Sequence, residues 1–219
     1  MTQEVLAEVT ERLRKEYGGT RSALNFSNPY ELLVATILAA QCTDARVNQI
    51  TPALFKRYPT PSEMAGAEPE EIEGYIKTCG LFRNKAKSLA GTARMLVSDF
   101  GGEVPRTMEE LTRLPGVGRK TANVVLAFGY GIPAIPVDTH VKRVSNRIGL
   151  ADSDDPDEVE RQLQGRFAKE DWIESHHWLL WHGRRVCTAR KPKCDICVLR
   201  DVCSAAPSLQ NDDSRQSKN

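Results

Sequence analysis

The run Leu114-Pro115-Gly116-Val117-Gly118-Arg119-Lys120-Thr121 constrains this chain more than any other stretch. Proline interrupts a helix, and glycine admits positive φ and close approach of backbone to a ligand. Upstream, Thr107-Met108-Glu109-Glu110 reads as a capping box followed by Leu111 and Leu114. The stretch therefore predicts two short helices joined by a tight hairpin. Amides opening the second helix would face outward, where they suit a phosphate or a carboxylate. A lone Gly-x-Gly is more often a plain helix–helix turn, so the hairpin gains meaning only from what surrounds it.

The rest of the chain predicts helices joined by short turns. Val5, Leu6, Val9 and Leu13 share one helical face. Asn28-Pro29-Tyr30-Glu31 combines an N-cap, a proline at the first helical position and a capping-box glutamate. The almost wholly apolar run from Leu32 to Ala40 predicts a buried helix. Asp44 is positioned to cap a helix carrying Val47, Ile50 and Leu54. Pro69 opens another helix that Gly80 ends, and Ala86, Leu89, Ala93, Leu96 and Val97 mark the next, stopped by Gly101-Gly102. Asp171 begins a last long helix through Trp172, Trp178 and Trp181. No period-2 stretch stands out, so strands should be few, and the polar tail from Ser204 to Asn219 predicts disorder.

At 219 residues, with 40% hydrophobic and 27% charged positions, the chain can bury a core in one or two modest domains. A mean hydropathy of −0.43 and the absence of a long apolar run argue against a membrane span. The N-terminus lacks a basic region followed by an apolar stretch, so a cytoplasmic protein without a secretory signal is expected. In that setting the six cysteines are poor candidates for disulfides. Net charge is only +1, yet it is unevenly spread. Residues 113–147 hold six Lys/Arg against Asp138 alone, and residues 184–203 hold six against Asp195 and Asp201. Such segments suit a basic stripe facing phosphates, or equally well ordinary solvated helix faces.

Three features carry chemistry. Lys120 falls just inside the second hairpin helix, where the positive end of the helix and Arg119 favour a neutral amine; otherwise it is a surface lysine for phosphate. Asp138, in Val137-Asp138-Thr139-His140, is placed to cap the helical segment 139–148. A capping carboxylate is fixed and ionised, and could stabilise a cationic sugar or move a proton. Cys187, Cys194, Cys197 and Cys203 follow the spacing C-x6-C-x2-C-x5-C. Zinc sites usually pair two C-x2-C knuckles, whereas only Cys194 and Cys197 form one here. Cys42 and Cys79 lie outside the set and read as small, buried or half-buried side chains. His176, His177 and His182 sit in the Trp-rich helix and read as core or hydrogen-bonding residues.

The run from Leu114 to Asn123 resembles the helix-hairpin-helix of DNA base-excision glycosylases, and the cysteine spacing resembles that of their iron–sulfur members. The likeness covers about residues 22–203 and includes Ala40-Gln41-Cys42-Thr43-Asp44, Tyr75-Ile76-Lys77-Thr78, Gly80-Leu81 and His176-His177-Trp178. The chain resembles the endonuclease III family of bifunctional glycosylases and abasic-site lyases. That resemblance implies an all-α, two-lobed fold with a C-terminal iron–sulfur loop. Residues 1–21 would form an N-terminal helix packed with the cluster lobe, 22–132 a six-helix lobe with the hairpin, 133–203 the cluster lobe, and 204–219 a disordered tail. The active cleft would lie between the lobes.

The resemblance further implies Lys120 as nucleophile, Asp138 as its essential carboxylate and a 4Fe-4S cluster on the four cysteines. Gln41 and Leu81 fall where the family fills the gap left by a flipped nucleotide, a wedge and a pairing amide in place of lost stacking. Gly116, Gly118, Arg119, His140, Arg190, Lys191 and Lys193 would contact DNA. Cys42 departs from the residue expected beside Gln41 and would tune wedge geometry. The implied partner is double-stranded DNA with damaged pyrimidines or abasic sites, met by a monomer working in the bacterial cytoplasm at the nucleoid. The implied reaction is base excision by Lys120, a Schiff base and β-elimination, without free metal or nucleotide cofactor. Two other readings stay open: a monofunctional adenine-mismatch glycosylase, against which Lys120 and the short segment after Cys203 argue, and a non-catalytic hairpin module with structural zinc.

Overall fold

The computed structural model describes residues 1–206 and contains eleven α-helices and no strand among them. They divide into two compact units, one formed by residues 22–132 and the other by residues 1–21 together with the chain from Pro133 onward.

The 22–132 unit begins with α2 (Pro29–Ala39), after α1 (Gln3–Tyr17) of the other unit. Asn28 caps α2 by accepting from Glu31 N at 2.9 Å. The Glu31 carboxylate reaches back to Ser27 N at 2.7 Å, one residue beyond the expected capping-box partner. Residues 32–38 are all buried, so α2 is the unit's central helix, as its apolar sequence requires. Helix α3 (Asp44–Arg57) follows, capped by Thr43 rather than Asp44: Thr43 Oγ1 accepts from Arg46 N at 3.3 Å. The cap moves back one position because Asp44 already has helical backbone. Helix α4 (Pro61–Ala65), a single turn opened by the capping box of Thr60 and Glu63, with Thr60 N donating to Glu63 Oε2 at 2.9 Å, is followed by α5 (Pro69–Ile76), which stops before Gly80. The long α6 (Phe82–Phe100) ends at left-handed Gly101 and buries Ala86, Leu89, Ala93 and Leu96. Val97, expected on that face, is exposed. Helix α7 (Met108–Leu111) and α8 (Arg119–Val124) bracket the hairpin, and α8 runs on into a π-helical segment, Val125–Gly129.

The other unit packs α1 with α9 (Thr139–Ile148), α10 (Pro156–Arg166) and α11 (Trp172–Arg185) around one core. Leu6, Val9, Leu13 and Tyr17 from α1 meet Val141, Val144 and Ile148 of α9 and Trp178 of α11 in it. Arg12 adds a bidentate pair with Asp201 and a bond to Val198 O, tying α1 to the C-terminal loop. Burial of these side chains explains why the N-terminal helix joins a partner more than a hundred residues away in sequence. At the start of the tail, Ser204 Oγ donates to Ile148 O and Ala205 N to Arg147 O. The rest of the segment expected to be disordered, 207–219, lies outside the described residues. No helix among the described residues is long and apolar enough to cross a membrane.

Candidate functional site

The hairpin is seated on α6. Thr92 Oγ1 donates to Pro115 O at 2.8 Å, while Leu111, Leu114 and Val117 are buried beneath the turn. Its two glycines differ. Gly116 has φ +77°, and a Cβ there would lie 2.8 Å from Cβ and Oγ of Ser88. Gly118 has an ordinary φ of −93°, and its Cβ would meet no atom within 4 Å. The fold itself thus demands glycine at 116 but not at 118. Gly118 is the N-cap of α8 and supplies no side chain to the amides of the first turn. Arg119 and Lys120 occupy that turn, and Lys120 is exposed. Among the described residues no enclosing pocket surrounds Lys120, which stands in solvent at the N-terminal end of α8.

Gln41 and Leu81 are the two non-glycine residues with positive φ among those described, +54° and +57°. Each costs about 1–2 kcal/mol of backbone strain, which persists only where surrounding structure imposes it. Gln41 follows the end of α2, and Leu81 stands immediately before α6. The two turns abut: a Cβ on Gly80 would lie 3.3 Å from Gln41 O. Buried Lys85 clamps them from below, Nζ donating to Leu38 O at 2.9 Å in the last turn of α2. Leu81 is 57% exposed, unusual for so large an apolar side chain with a fixed backbone.

In the other unit Asp138 caps α9. Its Oδ1 accepts from His140 N at 2.9 Å and Val141 N at 2.8 Å, so both capping bonds fall on one oxygen and Oδ2 carries neither. The chain entering this cap is fixed by His176, whose Nδ1 lies 2.6 Å from Pro136 O. His176, His177 and His182 are all buried. Burial holds the His177 and His182 imidazoles down at about 4. The core or hydrogen-bonding role expected of this helix's histidines holds for all three: His177 packs edge-on against His176 with ring centroids 5.3 Å apart, and His182 Nδ1 lies 3.0 Å from Tyr17 Oη.

Cys187, Cys194, Cys197 and Cys203 line one pocket together with Ile148, His182 and Leu199. No three His, Cys, Asp or Glu side chains among the described residues converge on a point that a single ion could occupy. Zinc would need its four sulfurs about 2.3 Å from one centre. Four sulfurs spread around a chamber suit a polynuclear cluster with one thiolate per iron. Burial, then the charge of neighbouring cysteines, raises the Cys194 thiol; burial also raises Cys197 and Cys203. Thiolates in that setting need the compensating charge of iron. Arg190, Lys191 and Lys193 are exposed on the loop between the first two ligands.

Two residues that the sequence did not single out hold that loop. Arg147 donates to Thr188 O and Ala189 O, both at 2.8 Å, and Nη1 lies 3.5 Å from Cys187 Sγ. Arg143 donates to Cys187 O and Gly183 O at 2.9 Å and meets His140 Nδ1 at 3.2 Å. Both lie on α9, so the helix capped by Asp138 also anchors the cysteine loop. Their i, i+4 spacing was visible, but their acceptors are backbone carbonyls some 40 residues away and leave no side-chain signal. Lys120 and Asp138 fall in different units, whereas Gln41, Leu81 and the hairpin share one.

Residues 34–169 match the profile of the HhH-GPD superfamily base excision DNA repair proteins, and residues 187–203 match the iron-sulfur binding domain of endonuclease III. The chain is 52% identical to endonuclease III of Synechocystis sp. over 195 residues, 89% of each chain. It belongs to the endonuclease III family. Endonuclease III of Bacillus subtilis is 50% identical over 178 residues, 81% of each chain. A solved structure of a trapped endonuclease III–DNA covalent intermediate superposes with a TM-score of 0.91 at 42% identity, covering 96% of this chain and 99% of that one. The family's all-α helix-hairpin-helix glycosylase fold and its 4Fe-4S cofactor are those of this chain. With the cluster domain matched, the reading as a zinc-bearing binding module falls away.

Proposed function

We propose that this protein excises oxidised pyrimidines from duplex DNA as a monomer, with Lys120 as nucleophile and Asp138 as the carboxylate that assists it. As an endonuclease III family member it is a base-excision DNA glycosylase and abasic-site lyase. The observation that carries the residue assignment is Lys120 itself, exposed in the first turn of α8 directly after the hairpin. A covalent intermediate with DNA has been trapped for a relative of 42% identity, and a lysine amine is the group here suited to form one. Neutral Lys120 attacks C1′ and the base departs. The opened sugar then forms a Schiff base with Nζ, which acidifies the 2′ hydrogen. β-Elimination breaks the strand 3′ to the lesion, and water releases the lysine. Asp138 is held in place by its two capping amides, both on Oδ1, and keeps Oδ2 for the cationic sugar or for a proton. Lys120 is exposed in the protein alone, so water exclusion around the amine falls to the bound DNA.

Gln41 and Leu81 fill the space left by the extruded nucleotide. Their left-handed backbones and the exposure of Leu81 support that role, since strain of this kind collects at functional positions. Gly118 and the amides of α8 seat a phosphate, and Arg119, His140, Arg190, Lys191 and Lys193 add contacts. The unfilled space at the Gly118 Cβ supports close approach of a phosphate to backbone. The cluster's part is structural, fixing the loop from Cys187 to Cys203. The setting is the bacterial cytoplasm, at the nucleoid. Borohydride trapping on abasic DNA tests the nucleophile: Lys120→Ala should bind DNA and form no covalent adduct. A persistent adduct in that variant would remove Lys120 from the mechanism.

A further inference from the structure

Cys42 and Cys79 take no part in the cluster or in the reaction above, and both border the strained turns. Cys42 follows Gln41, and Cys79 lies two residues before Leu81. Their sulfurs are 3.5 Å apart although 37 positions separate them in sequence. Both are free thiols; Cys79 is buried and Cys42 is half-buried. A disulfide needs the sulfurs at about 2.05 Å, so an approach of roughly 1.5 Å would join them. The backbone is already arranged for that: Gly80 meets Gln41 O, and Lys85 holds the α6 side against the last turn of α2.

We propose that Cys42 and Cys79 form a reversible disulfide that fixes the Gln41 and Leu81 turns to one another and slows the enzyme on duplex lesions. The oxidant is a hydroperoxide. Cys42, the more accessible sulfur, attacks the peroxide oxygen as thiolate, giving a sulfenic acid and releasing an alcohol, or water from hydrogen peroxide. Cys79 sulfur then attacks Cys42 sulfur; the S–S bond forms and hydroxide leaves with the Cys79 proton as water. Two thiols and one hydroperoxide thus yield one disulfide, one alcohol and one water. Burial pushes the Cys79 thiol up to about 11, which suits it to the second step, where the activated sulfur lies beside it, rather than to the first. A dithiol reverses the bond by exchange. The functional half of the proposal rests on the wedge reading of Gln41 and Leu81, because drawing the two sulfurs together by roughly 1.5 Å displaces the turns that carry both residues.

Cluster-loaded, full-length protein is treated with equimolar hydrogen peroxide and digested without reduction for mass spectrometry. Lesion excision is then measured on duplex and single-stranded substrates. The expected result is a crosslink between the peptides bearing residues 42 and 79, with the duplex-to-single-strand rate ratio lowered on the order of tenfold or more. Dithiothreitol should restore it. Cys79→Ser should keep the reduced enzyme's ratio, resist the change and accumulate a dimedone-reactive Cys42, with iron–sulfur absorbance preserved throughout. Peroxide that carries Cys42 to sulfinic acid without the crosslink overturns the proposal. So does a Cys79→Ser enzyme slowed as much as the wild type. Leu81→Ala, run in parallel, separates the two ideas. If it lowers the ratio while the crosslink does not, the switch is wrong and the wedge stands. If it leaves the ratio unchanged, the wedge reading fails, and an equally unchanged ratio in the crosslinked enzyme sinks the switch as well.

Discussion

Replacing Gly116 with alanine should destabilise the hairpin, and replacing Gly118 should not, although the two are separated by one residue. At Gly116, φ is +77°, so an L-residue incurs about 1–2 kcal/mol of backbone cost. Its Cβ also meets Ser88 Cβ and Oγ at 2.8 Å. Overlap of that kind in packed structure costs about 1–3 kcal/mol. The sum is about 2–5 kcal/mol. For a chain of this size each kcal/mol moves Tm by about 2–4 °C, so a fall of about 4–20 °C is expected. Gly118 has φ −93° and empty space at its Cβ, so alanine there should change stability by less than about 1 kcal/mol. If the proposed phosphate seat is right, it should instead weaken DNA binding, because a methyl group would stand between that phosphate and the backbone. Thermal melts and fluorescence-anisotropy titrations of both variants provide the assay. Ser88→Gly in the Gly116→Ala background removes the overlapping atoms and should recover about 1 kcal/mol or more in a double-mutant cycle. A Gly116→Ala protein melting with the wild type, or no coupling to Ser88, would refute the steric reasoning.

Leu81→Gly should hold or raise stability by up to about 1 kcal/mol, since glycine accepts the left-handed backbone without penalty, yet slow excision in duplex DNA; a stability loss in urea melts would contradict the strain. Cys197→Ser should remove the visible iron–sulfur absorbance, weaken duplex binding and flatten its salt dependence by about 0.9 log unit for each phosphate that the freed loop no longer neutralises; wild-type affinity and slope would show that the loop does not touch phosphates. Arg147→Ala should destabilise the cluster to chelators while leaving single-turnover trapping by Lys120 possible, because its bonds go to Thr188, Ala189 and Cys187; unchanged cluster lifetime would dismiss it as an anchor. His177 is held near 4 by burial in the fold against about 6.5 when unfolded, so the unfolded state binds the extra proton between those values and stability falls as pH drops from about 6.5 to 4; His177→Gln should lower the slope of stability against pH in that window, and an unaltered slope would refute the assignment.

The features legible in the sequence are those whose partners lie within a few positions. The Asn28, Thr107 and Asp138 caps act on amides two or three residues on, so composition alone announces them. The cysteine spacing and the hairpin run are likewise local, because ligation and a tight turn each demand particular residue types at fixed intervals. Where local signals compete, as with Thr43 and Asp44 at one helix start, backbone geometry decides and sequence does not. Pairings of long sequence separation leave no such mark. Arg143 and Arg147 bond carbonyls, which every residue possesses, so nothing in the cysteine loop advertises them. The left-handed backbones of Gln41 and Leu81 sit where a turn after α2 abuts a turn before α6, beside the bond from Lys85 to Leu38 O. The approach of Cys42 to Cys79 has the same origin. Chain entropy keeps such residues apart until packing of α2 against α6 brings them together, and only the folded unit determines which thiol meets which.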